Sequence, residues 1–501
     1  MRALDHNTPA PGLGERLLGL WTPRRMIFPI LVIIATFLVF TGISPGVGDL
    51  DYYWHLAAGE AIWQDQALPT GDPFSWTYEG RAWFLHEWGF QVLLHLWHEL
   101  TGPLGVVTGS AVLLAFAGYL AMATADRMVR RPLLSLGLLL IFGAGLAGAV
   151  APRPHLFSLI IFAVYLALFF EAKYGRRHWP LLTVPILMIA WVNLDSSYVL
   201  GVITMAALAL LEWVNLIVQF RDRRQAKLSV WLTVVAGMTL AAVLVNPYGV
   251  AQLEHAFDID QLTEFGDMTD WLAVMTSGWW GPWYVLGGVV FFVLLLRRGW
   301  PIDATVVLFP AFLFVVGAVE IRYAPYAALA MVVCVAPALW QHDAVSPFVE
   351  GGPAKVLCWL IAAAALLVPL GLSRSDYFET AEQSLPSDVA GYLSTAQLPG
   401  RMFNDSEIGG YLIGTLPGDY KVFIDGREEL YGQSFFRAYR TTVRGNVPLS
   451  RHFDGWEIGH VVVKHDQALK HLLLTRGDYQ LTFDGRTHAV LVRNDRVAPV
   501  P

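Results

Sequence analysis

Two aspartates and a histidine lie close together in the stretch "GDLDYYWH", which directly follows the first strongly apolar segment of the sequence. Asp51 and His55 are four residues apart, so they would share one face of the helix that this pattern predicts. A carboxylate here can take a proton from a hydroxyl group, or it can bind a divalent cation such as Mg²⁺ or Mn²⁺. Asp49 and Asp51 are therefore candidate catalytic residues, and a metal site formed by the same two side chains is the alternative.

A second polar group begins at His86 and Glu87, in the stretch "FLHEWGFQVLLHLWHEL". Helical spacing places a polar stripe opposite an apolar stripe, which is typical of a helix on a membrane surface. The polar stripe consists of Glu87, Gln91, His95 and His98. His55, His86 and Glu87 are candidates to orient the carboxylate, to complete a metal shell or to bind substrate. The tryptophans nearby either stack on a substrate ring or anchor the chain at the membrane interface.

The composition indicates what kind of protein must position these groups. Of the 501 residues, 55% are hydrophobic and only 15% are charged, so one soluble core cannot bury the apolar surface. A membrane-spanning helix needs about 20 mostly apolar residues. The sequence predicts eleven spans, at 27–44, 103–125, 132–150, 154–172, 180–194, 198–219, 228–245, 282–296, 301–319, 323–341 and 356–372. The predicted fold class is a mainly α, polytopic membrane protein.

The basic residues predict the orientation of these spans, because Lys and Arg beside a span stay on the cytoplasmic side. With the N-terminus inside, the outer connections before residue 373 contain only Arg81, Arg153 and Arg322, whereas the inner connections are rich in Lys and Arg. The predicted topology therefore has the N-terminus in the cytoplasm and the C-terminal segment outside.

This topology divides the chain into three parts. Residues 1–26 form a cytoplasmic segment, and 27–372 form the membrane domain, whose first outer loop is 45–100. Residues 373–501 contain short apolar runs between helical stretches, which predict a small α/β domain on the outer side.

Charge and cysteine content exclude other classes. The net charge is -7, and the basic clusters beside the spans are explained by topology, so no nucleic-acid partner is expected. Cys334 and Cys358 both fall in predicted spans, which excludes a disulfide framework or a zinc site in the C-terminal domain.

Arginines at outer span ends are informative because the orientation rule disfavours them there. Arg153 in "APRPHLF" and Arg322 in "EIRYAPY" lie level with phosphate headgroups, and arginine suits bidentate contact with phosphate. A snorkelling side chain, or a pair between Arg322 and Glu320, would explain them equally well. Further candidate substrate-binding residues at this end are His155, Asp195 in "WVNLDSSY", and Tyr323.

Several motifs together carry a resemblance to a known family. They are "DLDYYWHLAAGEAI", "LPTGDPFSWTYEGRAWFLHEW", "WVNLDSSYVLG", "NPYG", "IRYAPYAALAM", "FNDSEIGGYLIGTLP" and "KVFIDGREELY", in this order. The sequence resembles bacterial membrane proteins of the GT-C glycosyltransferase superfamily, and its opening motif resembles that of the lipid-donor mannosyl and aminoarabinosyl transferases. The resemblance covers nearly the whole chain, and its specificity lies in the combination of motifs.

The resemblance implies a GT-C-like fold with two juxtamembrane helices in the first outer loop and a C-terminal domain that caps a cavity. It implies an inner-membrane enzyme that transfers a hexosyl or pentosyl group from a polyprenyl-phosphate carrier to a periplasmic glycan, lipid or protein acceptor. Asp49 falls on the family's essential acidic position. The sequence departs from the family at Leu50, where an acid is usual, and Asp51 supplies a carboxylate one residue later. Which aspartate carries the chemistry stays open.

Two alternatives remain at this stage. One is an oligosaccharide ligase of the same fold, and the other is a non-catalytic transporter or scaffold for envelope polysaccharide assembly. A transporter should have broken spans and charges at the bilayer midplane, whereas the ionisable residues here gather at the predicted outer ends. In "FIDGREELY", Asp425, Arg427 and Glu428 either face the acceptor or form a salt-linked turn.

Overall fold

The computed structural model of the protein describes residues 49–149, 151–175, 177–218, 223–256, 280–296, 303–340, 385–396, 398–418, 420–446 and 453–496. The segment 1–26, predicted to be cytoplasmic, and the predicted spans 27–44 and 356–372 lie outside these residues. Apolar helices occur at the other nine predicted spans, and four of them are long enough to cross a membrane. The mainly α prediction is confirmed.

The described part of the apolar half consists of eleven helices. They are α1 (Asp51–Asp65), α2 (Trp88–Val129), α3 (Pro132–Phe142), α4 (His155–Tyr174), α5 (Thr183–Leu194), α6 (Tyr198–Val218), α7 (Arg223–Ala242), α8 (Ala251–Ala256), α9 (Trp280–Leu296), α10 (Ala304–Val319) and α11 (Ala324–Trp340). Single 3₁₀ turns precede α5 and α11, at Trp179–Leu182 and Ile321–Tyr323, and Gly143–Ala149 continues α3.

Helix α2 is two helices joined at a sharp break. Gly102 has φ 68° and ψ 179°, a conformation that glycine adopts without a steric penalty, and Pro103 removes the next backbone donor. Residues 88–101 therefore form a separate segment before the apolar helix begins. This segment and α1 are the two helices found in the part of the chain where the resemblance implies juxtamembrane helices.

The polar stripe of residues 88–101 faces α1. Gln91 is buried, and the Tyr52 hydroxyl on α1 lies 2.5 Å from Nδ1 of His98. Leu93 and Leu100, on the apolar stripe, are instead exposed, Leu100 by 83%. The polar stripe thus packs on a neighbouring helix, while Leu93 and Leu100 of the apolar stripe are exposed, as expected of a helix on a membrane surface.

Helix α11 lies at the centre of the membrane domain. Its residues from Ala327 to Ala336 are fully buried, and the helix contacts both α2 and α10. Alanines along "APYAALAMVVCVAPALW" let neighbouring helices approach closely, as is usual in membrane helix packing. Cys334 is buried within this helix as predicted, and Cys358 lies outside the described residues.

A cluster of buried charged residues connects the C-terminal ends of α4 and α6 with the start of α10. Lys173 on α4 lies 2.5 Å from Asp303 and also contacts Glu212 on α6. Asn215 donates to Asp303 at 2.8 Å. Buried charges are tolerated only when they are paired, so this cluster fastens α4, α6 and the start of α10 to one another.

The C-terminal part is a small α/β domain, as predicted. Its elements are α12 (Ser387–Ala396), β1 (Arg401–Asn404), α13 (Ser406–Thr415), α14 (Glu428–Tyr431), α15 (Gln433–Val443), β2 (Ile458–Lys464), α16 (Ala468–Arg476), β3 (Tyr479–Asp484) and β4 (His488–Arg493). The strands form one sheet in the order β1-β2-β4-β3, with β1 parallel to β2 and the other pairs antiparallel. Apolar cores lie on both faces of the sheet.

A segment of the first outer loop belongs to the C-terminal domain by its contacts. Trp76 donates its backbone N–H to Val422 at 3.0 Å, and Val422 donates to Phe74 at 3.1 Å. The Trp76 indole also donates to the carbonyl of Met402 at 2.8 Å. The loop therefore pairs with the domain as an added strand would, which the sequence did not predict.

An arginine with no exposed surface fastens this loop to the domain. Arg427 forms a bidentate pair with Asp425, at 2.8 and 2.7 Å, and its Nη1 donates to Asp72 of the loop at 2.8 Å. The guanidinium also lies 4.5 Å from the ring centre of Trp83. Asp425 and Arg427 thus form the salt-linked turn, whereas the exposed Glu428 pairs with Arg440.

Glycines let α13 lie directly against α1. A methyl group at Gly410 would come within 2.6 Å of the Leu50 carbonyl oxygen, and one at Gly414 within 2.9 Å of Tyr53. These glycines are four residues apart in "DSEIGGYLIGT", so they face the same helix. The helix that begins beside Asp49 is therefore held between the membrane domain and the C-terminal domain.

Substituting Gly410 by alanine should loosen this docking. Because the new methyl group meets backbone rather than a movable side chain, we expect a loss of about 1–3 kcal/mol of stability. The loss would appear as a lower melting temperature of the purified protein in detergent and as faster proteolysis of the C-terminal domain. Gly391 on α12 has open space around it and is the matched control, since G391A should be neutral or slightly stabilising. Equal melting temperatures for the two variants would contradict this packing.

Two buried histidines on one face of the sheet should make the domain sensitive to acid. His460 and His488 are 1% and 3% exposed, and burial lowers the pKa of each from 6.5 to about 4. As the pH falls below 6.5, these histidines become protonated in the unfolded chain but stay neutral in the folded domain. The stability of the folded domain therefore decreases towards pH 4. The decrease is at most about 3 kcal/mol for each histidine.

We therefore expect the double variant H460Q/H488Q to lose less stability on acidification than the wild type. The measurement is the melting temperature of both proteins between about pH 7 and about pH 4.5. Carboxylates titrate equally in both, so the comparison isolates the histidines. Parallel curves would show that neither histidine resists protonation in the folded domain.

Candidate active site

Arg153 binds both candidate carboxylates. Its Nε donates to Oδ2 of Asp49 at 2.5 Å, and its Nη2 donates to Oδ1 of Asp49 at 2.8 Å. Nη2 also lies 2.9 Å from Oδ2 of Asp51. The pair with Asp49 is bidentate, a strong and directional geometry for guanidinium and carboxylate. Three residues predicted separately are thus in contact, although 104 positions separate Arg153 from Asp49.

Local sequence explains how these side chains are held. Asp49 precedes α1, and its Oδ1 accepts the backbone N–H of Asp51 at 3.2 Å, where the helix N-terminus favours negative charge. Arg153 lies between Pro152 and Pro154, directly before α4. Proline fixes its own φ and restricts the preceding residue, so this turn presents Arg153 in a narrow range of orientations.

Asp51 is the more accessible of the two aspartates. Its side chain is 30% exposed, against 10% for Asp49, and its Oδ1 accepts the Trp54 indole N–H at 3.3 Å. Burial raises the pKa of Asp51 and the charge of Asp49 adds to this, while Arg153 opposes it. A methyl group at Gly426 would overlap the Asp51 carboxylate, so the C-terminal domain forms one wall around it.

His55 lies behind the carboxylates as a neutral side chain. It stacks on Trp54 with ring centres 3.7 Å apart, and its Nδ1 is 3.4 Å from the amide nitrogen of Gln91. Burial, together with the cations of Arg153 and His86, holds the pKa of His55 well below 6.5. Its Nε2 lies 3.8 Å from Glu87. Asp51 and His55 lie one helical turn apart on α1, and substrate binding by His55 stays a prediction.

His86 supplies a second positive charge. Its Nε2 lies 3.6 Å from Glu87. Burial opposes the charge, but the hydrogen bond and charge of Glu87, with Glu429 and Asp195 nearby, raise the pKa of His86 to about 9. Glu429 belongs to the C-terminal domain, and burial raises its pKa. Sequence analysis did not single out Glu429, because only the docking of the domain brings it here.

Asp195 is buried in a network of hydroxyl groups. Its Oδ2 accepts from Ser158 at 2.5 Å and from Ser197, whose hydroxyl lies 2.9 Å from that of Tyr326. These residues come from α4, from the turn after α5 and from α11. Asp195 thus joins three helices near His86.

The remaining candidates lie at the same end of the helices. His155 opens α4, and its Nε2 is 3.1 Å from the carbonyl of Ala149. The Nε of Arg322 pairs with Glu320 at 3.0 Å, and its side chain is 68% exposed. Tyr323 packs near Tyr326, with ring centres 6.3 Å apart. The alternative pair of Arg322 with Glu320 is thus present, and phosphate binding by Arg322 stays a prediction.

Known structures share this architecture. Similar solved structures include ArnT from Cupriavidus metallidurans in the apo state and the same protein bound to undecaprenyl phosphate. Each superposes with a TM-score of 0.56 at 13% sequence identity, over 94% of this chain and 98% of the other. Comparison of the sequence with family models and with curated proteins gives no match. The chain has the ArnT fold. The resemblance to GT-C glycosyltransferases is therefore confirmed at the level of the fold.

Within this ArnT fold, two polar residues that sequence analysis did not single out hold the His86 loop. The Tyr248 hydroxyl accepts the backbone N–H of Leu85 at 2.9 Å, and Asn193 accepts the Trp88 indole N–H at 2.9 Å. Asn193 also donates to the Val245 carbonyl at 2.9 Å. Both lie in quoted motifs, "NPYG" and "WVNL", so the signal was present, but their partners are distant in sequence.

The contacts of Arg153 affect the divalent metal site that was predicted at Asp49 and Asp51. Among the residues that the structure describes, no three His, Cys, Asp or Glu side chains form a group that could hold a metal ion. In this ArnT fold, the guanidinium of Arg153 lies where a cation bridging Asp49 and Asp51 would bind. The residues as placed do not fit a bound Mg²⁺ or Mn²⁺, and metal dependence stays a prediction.

Proposed function

We propose that the protein is a glycosyltransferase of the bacterial inner membrane, which transfers one sugar from a polyprenyl-phosphate-linked donor to an acceptor in the periplasm. The observation that carries the proposal is the cluster of Arg153 with Asp49 and Asp51, at one end of apolar helices in an ArnT fold. The bound undecaprenyl phosphate in one ArnT structure supports a polyprenyl lipid as partner. Periplasmic glycans, lipids or proteins with a hydroxyl group are the acceptors proposed.

In this proposal, the residues of the site have three roles. Asp51, accessible and with a raised pKa, takes the proton of the acceptor hydroxyl. The acceptor oxygen then bonds to the sugar carbon as the bond from that carbon to the phosphate oxygen breaks. Arg153 and the protonated His86 stabilise the negative charge that remains on the departing lipid phosphate. Asp49 fixes the guanidinium through its bidentate contact.

The test is reconstitution of the full chain in liposomes with a labelled polyprenyl-phosphate sugar and an envelope extract. We expect lipid phosphate to be released and a labelled product whose mass exceeds that of the acceptor by one sugar. Transfer of several sugars in one step would indicate the oligosaccharide ligase instead. If donor is never consumed, and envelope glycans of a deletion strain are merely mislocalised, the transporter or scaffold replaces the enzyme.

A further inference from the structure

The two edges of the Arg153 guanidinium are used differently. The side edge, formed by Nε and Nη2, carries the bidentate pair with Asp49. Asp51 meets the guanidinium only through an ion-pair contact of 2.9 Å between its Oδ2 and Nη2, and Nη2 also belongs to the end edge, which is formed by Nη1 and Nη2. A phosphate prefers two parallel N–H donors from one edge of a guanidinium. With the side edge held by Asp49, the end edge is the one that a phosphate would use.

We propose that Asp51 and the lipid phosphate of the donor compete for this end edge, so that donor binding releases Asp51 from Arg153. The inference rests on the proposed function and adds an order of events to it. Until a donor arrives, the guanidinium holds the carboxylate that later acts as base. The phosphate takes that contact, and the carboxylate is then free to accept the proton of the acceptor.

The contacts of the two aspartates support this division of roles. Asp49 has two short bonds to Arg153 and one from the backbone of Asp51, so it is anchored. Asp51 has one contact to Arg153, and its other oxygen accepts a longer bond of 3.3 Å from Trp54. Exchange therefore costs least at Asp51. Its side chain is also the more exposed of the two.

The release also has a chemical consequence for the base. The positive charge of Arg153 lowers the proton affinity of Asp51 in the structure as it stands. A phosphate on the same guanidinium neutralises that charge, so the freed carboxylate becomes a stronger base. Proton abstraction would thus be enabled only in the complex with donor, which protects the enzyme from activating acceptors without a sugar to transfer.

Binding of undecaprenyl phosphate itself tests the competition without any transfer reaction. The full-length protein in detergent is titrated with undecaprenyl phosphate, and D51N is compared with the wild type. We expect D51N to bind about tenfold more tightly, because one charge-assisted contact no longer has to be broken. D49N, which loses the anchor of the guanidinium, should bind more weakly than the wild type.

Two controls make the result specific. In an R153Q background, the substitution D51N should no longer change the affinity, since the shared partner is gone. D65N, at the exposed far end of α1, should bind as the wild type does. If the wild type binds undecaprenyl phosphate and D51N binds it no more tightly, the competition is overturned and the proposed function stands. A wild type that binds no undecaprenyl phosphate would overturn the proposed function itself.

Discussion

Replacing Asp51 by asparagine should lower the turnover rate of sugar transfer about a hundredfold or more, the usual effect of removing a general base. Asparagine keeps the size of the side chain and its hydrogen bond with the Trp54 indole, so the fold should persist. The measurement is kcat and KM for a polyprenyl-phosphate sugar with purified protein in liposomes. The effect should fall on kcat, because a base acts in the transition state.

Asp49 should respond differently if it acts through Arg153. D49N frees the guanidinium from its bidentate partner, so KM for the donor should rise together with a fall in kcat. The family resemblance, which places Asp49 on the essential acid, would instead make D49N the more severe loss in kcat. Comparing the two variants therefore decides which carboxylate is the base. If both variants transfer sugar at the wild-type rate, neither aspartate of this loop takes part in catalysis.

Replacing Arg427 by methionine should destabilise the protein by about 3–5 kcal/mol, the largest stability effect that we expect. The side chain is fully buried, and its loss leaves the carboxylates of Asp72 and Asp425 facing each other without a counter-charge. Since Asp72 lies in the first outer loop, the C-terminal domain should also detach from that loop. Melting temperature in detergent and protease sensitivity at residues 70–80 report the two effects.

A surface ion pair in the same domain provides the control. Arg440 and Glu428 are 3.3 Å apart, and their side chains are 60% and 53% exposed, so R440M should cost under about 1 kcal/mol. Neutralising both partners of Arg427, in the triple variant D72N/D425N/R427M, should recover part of the lost stability. If R427M and R440M have the same melting temperature, the buried cluster does not hold the loop to the domain.

The sequence by itself determined the elements that depend on local pattern. Apolar length located nine spans that coincide with helices, and helical spacing separated the helix that follows His86 from the span predicted at 103–125. The stretch "GDLDYYWH" identified Asp49 and Asp51, and the scarcity of outer arginines identified Arg153. Each of these signals lies within a few residues or one helix, where hydrophobic periodicity and backbone chemistry act directly.

Only the tertiary structure decided which of these groups meet. Asp72 and Arg427 are 355 positions apart, yet they share a buried ion pair, and Glu429 approaches His86 only because the C-terminal domain docks on α1. The same docking places the Arg427 guanidinium 4.5 Å from the ring centre of Trp83. Contacts of this kind depend on how whole helices and domains pack. Hydrophobic periodicity identifies each helix or strand, but it does not specify which other element that helix or strand packs against.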